Sequence, residues 1–188
     1  MNHDELHERG QAMEDLFFKS VDAKLLAQLK TELQAKEARE ALGHALGVTE
    51  TKTLDALLAQ KINAQTLSAL AIIPLVAVAW ADGVLDERER AAIKKACAEE
   101  QIAAGSTHFA LIQQWLQSKP SPDLLQAWQS YMAAVRAHVD AVALHQIRNA
   151  VIGRAQNVAK SAGGFMGLGH KVSDAEQRVL DELSRAFA

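Results

Sequence analysis

Between Ala69 and Ala81 the chain reads ALAIIPLVAVAWA, thirteen residues without a single charge. A helix with apolar residues on one face lies on a surface, whereas one that is apolar on every side must be surrounded by other helices. The run is too short to cross a bilayer, which takes about 20 residues, so it reads as the centre of a protein core. Its spacing predicts a helix over 64–81, opened by Asn63, a favoured cap ahead of an apolar run. Pro74 cannot donate to the carbonyl of Leu70, so a kink is expected there. Asp82-Gly83 is a strong turn signal and ends the segment.

What surrounds such a helix follows from the rest of the chain. Hydrophobic residues make up 49% of the 188 positions, with alanine and leucine dominant, aromatics at 5%, and no runs of strand formers. Helix packed on helix is the architecture this favours. The expected fold is all-α, a helical bundle around the buried central helix, with an N-terminal helical arm over 1–62 packed on a domain over 63–188. In the arm, Met13, Leu16 and Phe17 form one apolar face, and Leu25, Leu26, Leu29 and Leu33 form another at i, i+3, i+4 spacing. A break is expected between them at Ser20 to Asp22. Gly43 and Gly47 close the second arm helix, with Gly47 placed as its left-handed C-terminal residue. A short helix then carries Leu54, Leu57 and Leu58.

Beyond the central helix, further helices are expected over 86–102, 106–118 and 123–162, separated by Gly105 and by Lys119-Pro120-Ser121-Pro122. Forty helical residues exceed the usual length, so a bend is expected near Ala137 to Val142 or at Gly153. Glycine-rich residues Gly163 to His170 interrupt the pattern, and a last helix covers 173–187.

The net charge of −3 lacks the basic surface that phosphate neutralisation needs, which argues against nucleic acid as a partner. Cys97 is the single cysteine and lies among Ile93, Ala96 and Ala98, so it reads as a small core hydrophobe. A disulfide framework and a multi-cysteine metal site are both excluded. The polar, acidic segment Met1 to Gly10 is no secretory signal, and a cytoplasmic protein is the expectation.

Two segments repeat one pattern. The first, AVAWADGVLDERERAAI, runs from Ala77 to Ile93; the second begins VAKSAGG at Val158 and resumes, six residues later, with KVSDAEQRVL at Lys171. In each, an apolar residue (Leu85 or Val172) precedes a short polar residue (Asp86 or Ser173), with a glutamate three further on (Glu89 or Glu176). That spacing lets two side chains satisfy the unpaired backbone donors at a helix start.

The pattern resembles the tellurite-resistance TerB-like family, whose helical bundle carries two helix–turn–helix units with a motif A-D-G-x-[VIL]-x-x-x-E. Ala81, Asp82, Gly83, Leu85, Glu89 and Ile93 match it, and the resemblance covers about 66–187. It implies a small cytoplasmic binding module, tied to stress responses and membrane-proximal assemblies, whose acidic turns take divalent metal ions. The second copy departs from the motif: Gly163 stands where the aspartate belongs, and Phe165 to His170 are inserted.

The first turn places Asp82, Asp86, Glu87 and Glu89 within eight residues. Hard cations such as Ca²⁺ or Mg²⁺ take oxygen ligands, so Asp82, Asp86 and Glu89 form the candidate metal site, for Ca, Mg, Mn or Zn. The competing account is structural: Asp86 caps, Glu89 completes the box, acids favour a helix N-terminus, and Asp before Gly is ordinary turn chemistry. The loop is too short for an EF-hand.

Other candidates carry less. His3 and His7 have helical metal-pair spacing, but HDELH is not a zincin motif. His138 and His145 lie two turns apart near Asp140, and His170 belongs to the insertion. With the acidic turn, these three histidines define the alternative function, a metal-dependent helical-bundle enzyme. The stretch GLGHKVS lacks the preceding strand and the Lys-Ser/Thr of a phosphate loop. Phe165, Met166 and Leu168 offer a contact for a partner or a membrane surface. The arm, amphipathic throughout, points to a protein partner or a homo-oligomer.

Overall fold

The computed structural model describes residues 3–162 and 172–188, with side chains from 24 onward, 162 excepted. Among these residues every regular element is helical: α1 (His3–Leu46), α2 (Thr51–Ala59), a 3-10 turn (Leu67–Ala71), α3 (Ile73–Ala79), α4 (Glu87–Glu99), α5 (Thr107–Gln117), α6 (Asp123–Arg136), α7 (Ala141–Ala162) and α8 (Asp174–Arg185). The chain divides into two units, Met1–Glu40 and Ala41–Ala188. No helix among the described residues is long and apolar enough to cross a membrane.

The first unit holds α1 as far as Glu40, and the helix runs through Ser20–Asp22 without the expected break. None of those residues is glycine or proline, and a propensity cost of a few tenths of a kcal/mol each does not stop a helix. Leu25, Leu26, Leu29 and Leu33 are exposed.

The second unit takes in residues 41–62, where Leu42, Val48, Leu54, Leu57 and Ile62 are all buried in its core. The end of α1 is built as the sequence predicts. Gly47 is left-handed at φ 66°, and the Val48 N–H donates to the Gly43 carbonyl at 3.1 Å, the long bond that closes a Schellman terminus. Gly43 is constrained for a different reason: a Cβ there would sit 2.9 Å from the Val48 carbonyl oxygen and 3.1 Å from Leu54 Cδ1.

The central segment differs from the expected kinked helix over 64–81. Asn63 Oδ1 accepts from the N–H groups of Gln65 and Thr66, but the turn it caps leads into the 3-10 element. Helix α3 then starts afresh, with Pro74 in its first turn. Pro74 has no N–H to give to the Leu70 carbonyl, and that missing donor costs nothing in a first turn. The helix therefore starts one residue ahead of the proline, at Ile73. Ile73, Leu75, Val76 and Val78 are buried, each contributing about 1.5–3 kcal/mol by leaving water. Around them pack α4, α6, α7 and α8, which makes α3 the buried centre that its composition demands.

The remaining helices sit close to expectation. The break between α6 and α7 spans 137–140, and Asp140 Oδ1 accepts from the Ala143 N–H to start α7; Gly153 stays helical. Trp80 Nε1 donates to the Trp115 carbonyl at 2.8 Å, tying the end of α3 to α5. Trp128 meets Phe187 edge-on at 6.0 Å, joining α6 to the residues after α8. The glycine-rich insertion, with Phe165, Met166, Leu168 and His170, lies outside the described residues.

Candidate functional site: two buried capping glutamates

At the turn after α3, Gly83 adopts φ 94° and Asp82 Oδ1 accepts from the Val84 N–H at 2.9 Å. That is the local bond by which aspartate shapes a reversal. Leu85 then inserts into the core. Asp86 Oδ1 accepts from the N–H groups of Arg88 and Glu89, both at 2.8 Å, while Glu89 Oε2 accepts from the Asp86 N–H at 3.0 Å. Both halves of the capping box are present.

The second copy builds the same device. Ser173 Oγ accepts from the Glu176 N–H at 3.2 Å, and Glu176 Oε2 accepts from the Ser173 N–H at 2.6 Å. The matching sequence patterns thus become matching helix starts at α4 and α8.

Burial separates these boxes from ordinary surface caps. Glu89 is 4% exposed and Glu176 is 6% exposed. Burial pushes the Glu89 carboxyl up from 4.5 to about 7. The bond from the Asp86 N–H opposes that rise, and the negative charges of Asp86, Glu176 and Asp82 add to it. The two capping glutamates therefore lie within reach of each other's charge. Among the described residues, Glu176 Oε1 is buried with no hydrogen-bond partner. A buried polar atom left unpaired costs on the order of 1–3 kcal/mol, more when it is charged.

The metal reading can be set against this geometry. Asp86 and Glu89 are brought together, but as cap and box, and Asp82 is held by its own turn. Among the described residues no group of three or more His, Cys, Asp or Glu side chains is placed to hold a metal ion. The oxygens spent on backbone bonds are one each from Asp82, Asp86 and Glu89. The orphaned oxygen belongs to Glu176, which sequence reasoning identifies only as a cap. Its repeat of the Glu89 pattern was the available signal; its burial beside Glu89 is a non-local fact.

One neighbouring basic group, Arg90, is committed elsewhere. Arg90 Nε reaches Glu87 Oε1 at 3.2 Å and its Nη1 donates to the Leu116 carbonyl, tying α4 to α5. The histidines also have local partners. His138 Nδ1 lies 2.8 Å from the Ala134 carbonyl and His145 Nε2 lies 3.0 Å from Asn149 Nδ2, both on exposed residues. His3, His7 and His170 have side chains outside the described residues. Burial pushes the Cys97 thiol up to about 11, and at 1% exposure it packs as a core hydrophobe. Beside the acidic turn, Trp80 and Ala81 line an apolar cavity of about 200 Å³ with Ile73, Pro120, Leu125 and Val179.

Comparison of the chain with protein-family models, with curated proteins and with solved structures finds no match.

Proposed function

We propose that the chain is a helical binding module, similar in kind to the TerB-like proteins, whose paired capping glutamates take up a divalent cation. The observation that supports this is the orphaned oxygen: two copies of one capping device bury their glutamates within reach of each other's charge, and Glu176 Oε1 has no partner among the described residues. A hard cation with oxygen ligands relieves such a carboxylate. Glu89 and Glu176 would hold it, with Asp82 and Asp86 at the turn adding charge. Because Glu89 also caps α4, uptake competes with the box and couples the cation to the start of that helix. The apolar cavity next to the turn gives a partner a place to sense the change. A cytoplasmic setting and a role in stress response or a membrane-proximal assembly belong to the same proposal. No arrangement among the described residues favours the metal-enzyme alternative over it.

Calorimetric titration of metal-free protein with Ca²⁺, Mg²⁺, Mn²⁺ and Zn²⁺ tests the reading. It should be run on the natural chain, on Glu176→Gln and on Asp82→Ala/Glu89→Ala. Binding that disappears in a variant with an unchanged helical spectrum supports the site. Absence of binding to the natural chain by all four ions refutes it and leaves the glutamates as helix caps.

A further inference from the structure

Between the 3-10 turn, the end of α6 and the first half of α7 lies a cavity of about 430 Å³. Small residues open it: Ala45, Ser68 and Ala71 stand in its wall where larger side chains would fill the space. Buried Leu70 and Met132 and half-buried Ile147 and Val151 make the lining apolar. All the lining residues lie between Ala45 and Val151, within the second unit. A cavity of this size, apolar over most of its wall with a few polar groups to orient an occupant, has the form of a site for a small organic molecule.

Charge around the wall defines that molecule. Helix α1 ends there at Ala45 and Leu46, α4 ends there at its capping residue Glu100, and α6 contributes Val135, next to its last residue. Each helix C-terminus carries about half a negative charge on its unpaired carbonyls. Among the described residues no Lys, Arg or His lines the cavity. Arg154 pairs with Glu100 and lines a separate groove against α4, and Arg136, at the end of α6, donates to the Ala188 carbonyl. The Arg154–Glu100 pair is neutral, which leaves the helix ends to set the sign. Tyr131 stands in the same wall, and burial pushes its phenol above the ordinary range. An aromatic ring attracts a cation more strongly where water is excluded.

We propose that this cavity binds a lipophilic organic cation, a primary amine or quaternary ammonium on an apolar body. The body lies along Leu70, Met132, Ile147 and Val151, and the charged head lies toward Glu100 and the helix ends. A cavity of about 150 Å³ holds a benzene ring, so this one takes a body of roughly eight to sixteen carbons. An organic anion meets the wrong sign of potential, and an alcohol gains the apolar contact without the charge. The inference shares no residue with the capping glutamates and stands or falls apart from the divalent-cation reading.

Calorimetric titration of the full chain at neutral pH with octylammonium, octanol and octanoate, each below its micelle concentration, compares three heads on one body. Octylammonium should bind with a Kd below about 1 mM and at least about 10-fold more tightly than octanoate, with octanol between them. Val151→Trp and Ile147→Trp each fill the cavity from a half-buried position. Each should weaken octylammonium binding by about 10-fold or more with the helical spectrum unchanged. Glu100→Gln leaves the Arg154 charge uncompensated and should cut the preference over octanoate to below about threefold. Should a variant fail to fold, the ligand series on the natural chain decides alone. Four results overturn the inference: no binding of octylammonium at millimolar concentration, octanoate bound as tightly as octylammonium, binding unmoved by both tryptophan variants, or a second copy of the chain in the cavity, seen on sedimentation as a dimer that Val151→Trp dissolves.

Discussion

Replacing Glu89 by glutamine separates the cost of its buried charge from the value of its cap. In the unfolded chain its carboxyl titrates near the ordinary 4.5; in the folded protein it titrates near 7. The folded state thus binds this proton more tightly. The stability it contributes is fully present below about pH 4.5 and is lost as pH rises through about 7. At about 1.4 kcal/mol per pH unit, the loss comes to about 3 kcal/mol. Glu89→Gln keeps a carbonyl oxygen to accept from the Asp86 N–H but cannot ionise. The variant should therefore match the natural protein below about pH 4 and exceed it by up to about 3 kcal/mol near pH 8. Urea unfolding of both proteins across that range, monitored by circular dichroism, reads the difference directly, since titrations common to both cancel. Parallel pH profiles, or a variant less stable than the natural chain at alkaline pH, would refute the account of a buried, charge-crowded carboxylate.

Three further outcomes are expected. Gly43→Ala should destabilise by about 1–3 kcal/mol in thermal or urea unfolding, because the added carbon meets the Val48 carbonyl at 2.9 Å and backbone cannot yield as a side chain does. Asp86→Ala removes two bonds at the start of α4 and should cost about 1–2 kcal/mol in the same assay, whereas Asp82→Ala, at an exposed turn, should cost less. The Cys97 thiol, buried and pushed up to about 11, should resist a thiol reagent at neutral pH and react only as the chain unfolds, so rapid stoichiometric labelling of native protein would contradict its packing.

The parts of the fold legible in the sequence are those set by local chemistry. Asp86, Ser106 and Ser173 cap α4, α5 and α8, Gly47 ends α1, and the Lys119–Pro122 stretch separates α5 from α6. Each depends on neighbours a few residues away. Pro74 misleads because its local chemistry allows two outcomes, a kinked helix or a new helix start, and the packing around α3 selects the second. Ser20–Asp22 misleads in the other direction, since residues that are weak helix formers do not break a helix alone. At the candidate site the two capping boxes are visible from spacing, but their burial and the orphaned oxygen of Glu176 depend on how α4 and α8 pack.

The position of α3 also affects how the protein is made. The four helices that surround it, α4, α6, α7 and α8, all follow it in the chain. On a ribosome adding about 5–20 residues per second, α3 emerges on the order of ten seconds before α8 can cover it. For that interval its most apolar surface is without its final partners, and the nascent chain is open to aggregation or capture by a chaperone. Slow translation past residue 79 prolongs that exposure, so the chain's yield in a cell depends on elongation rate as well as on the stability of the finished bundle.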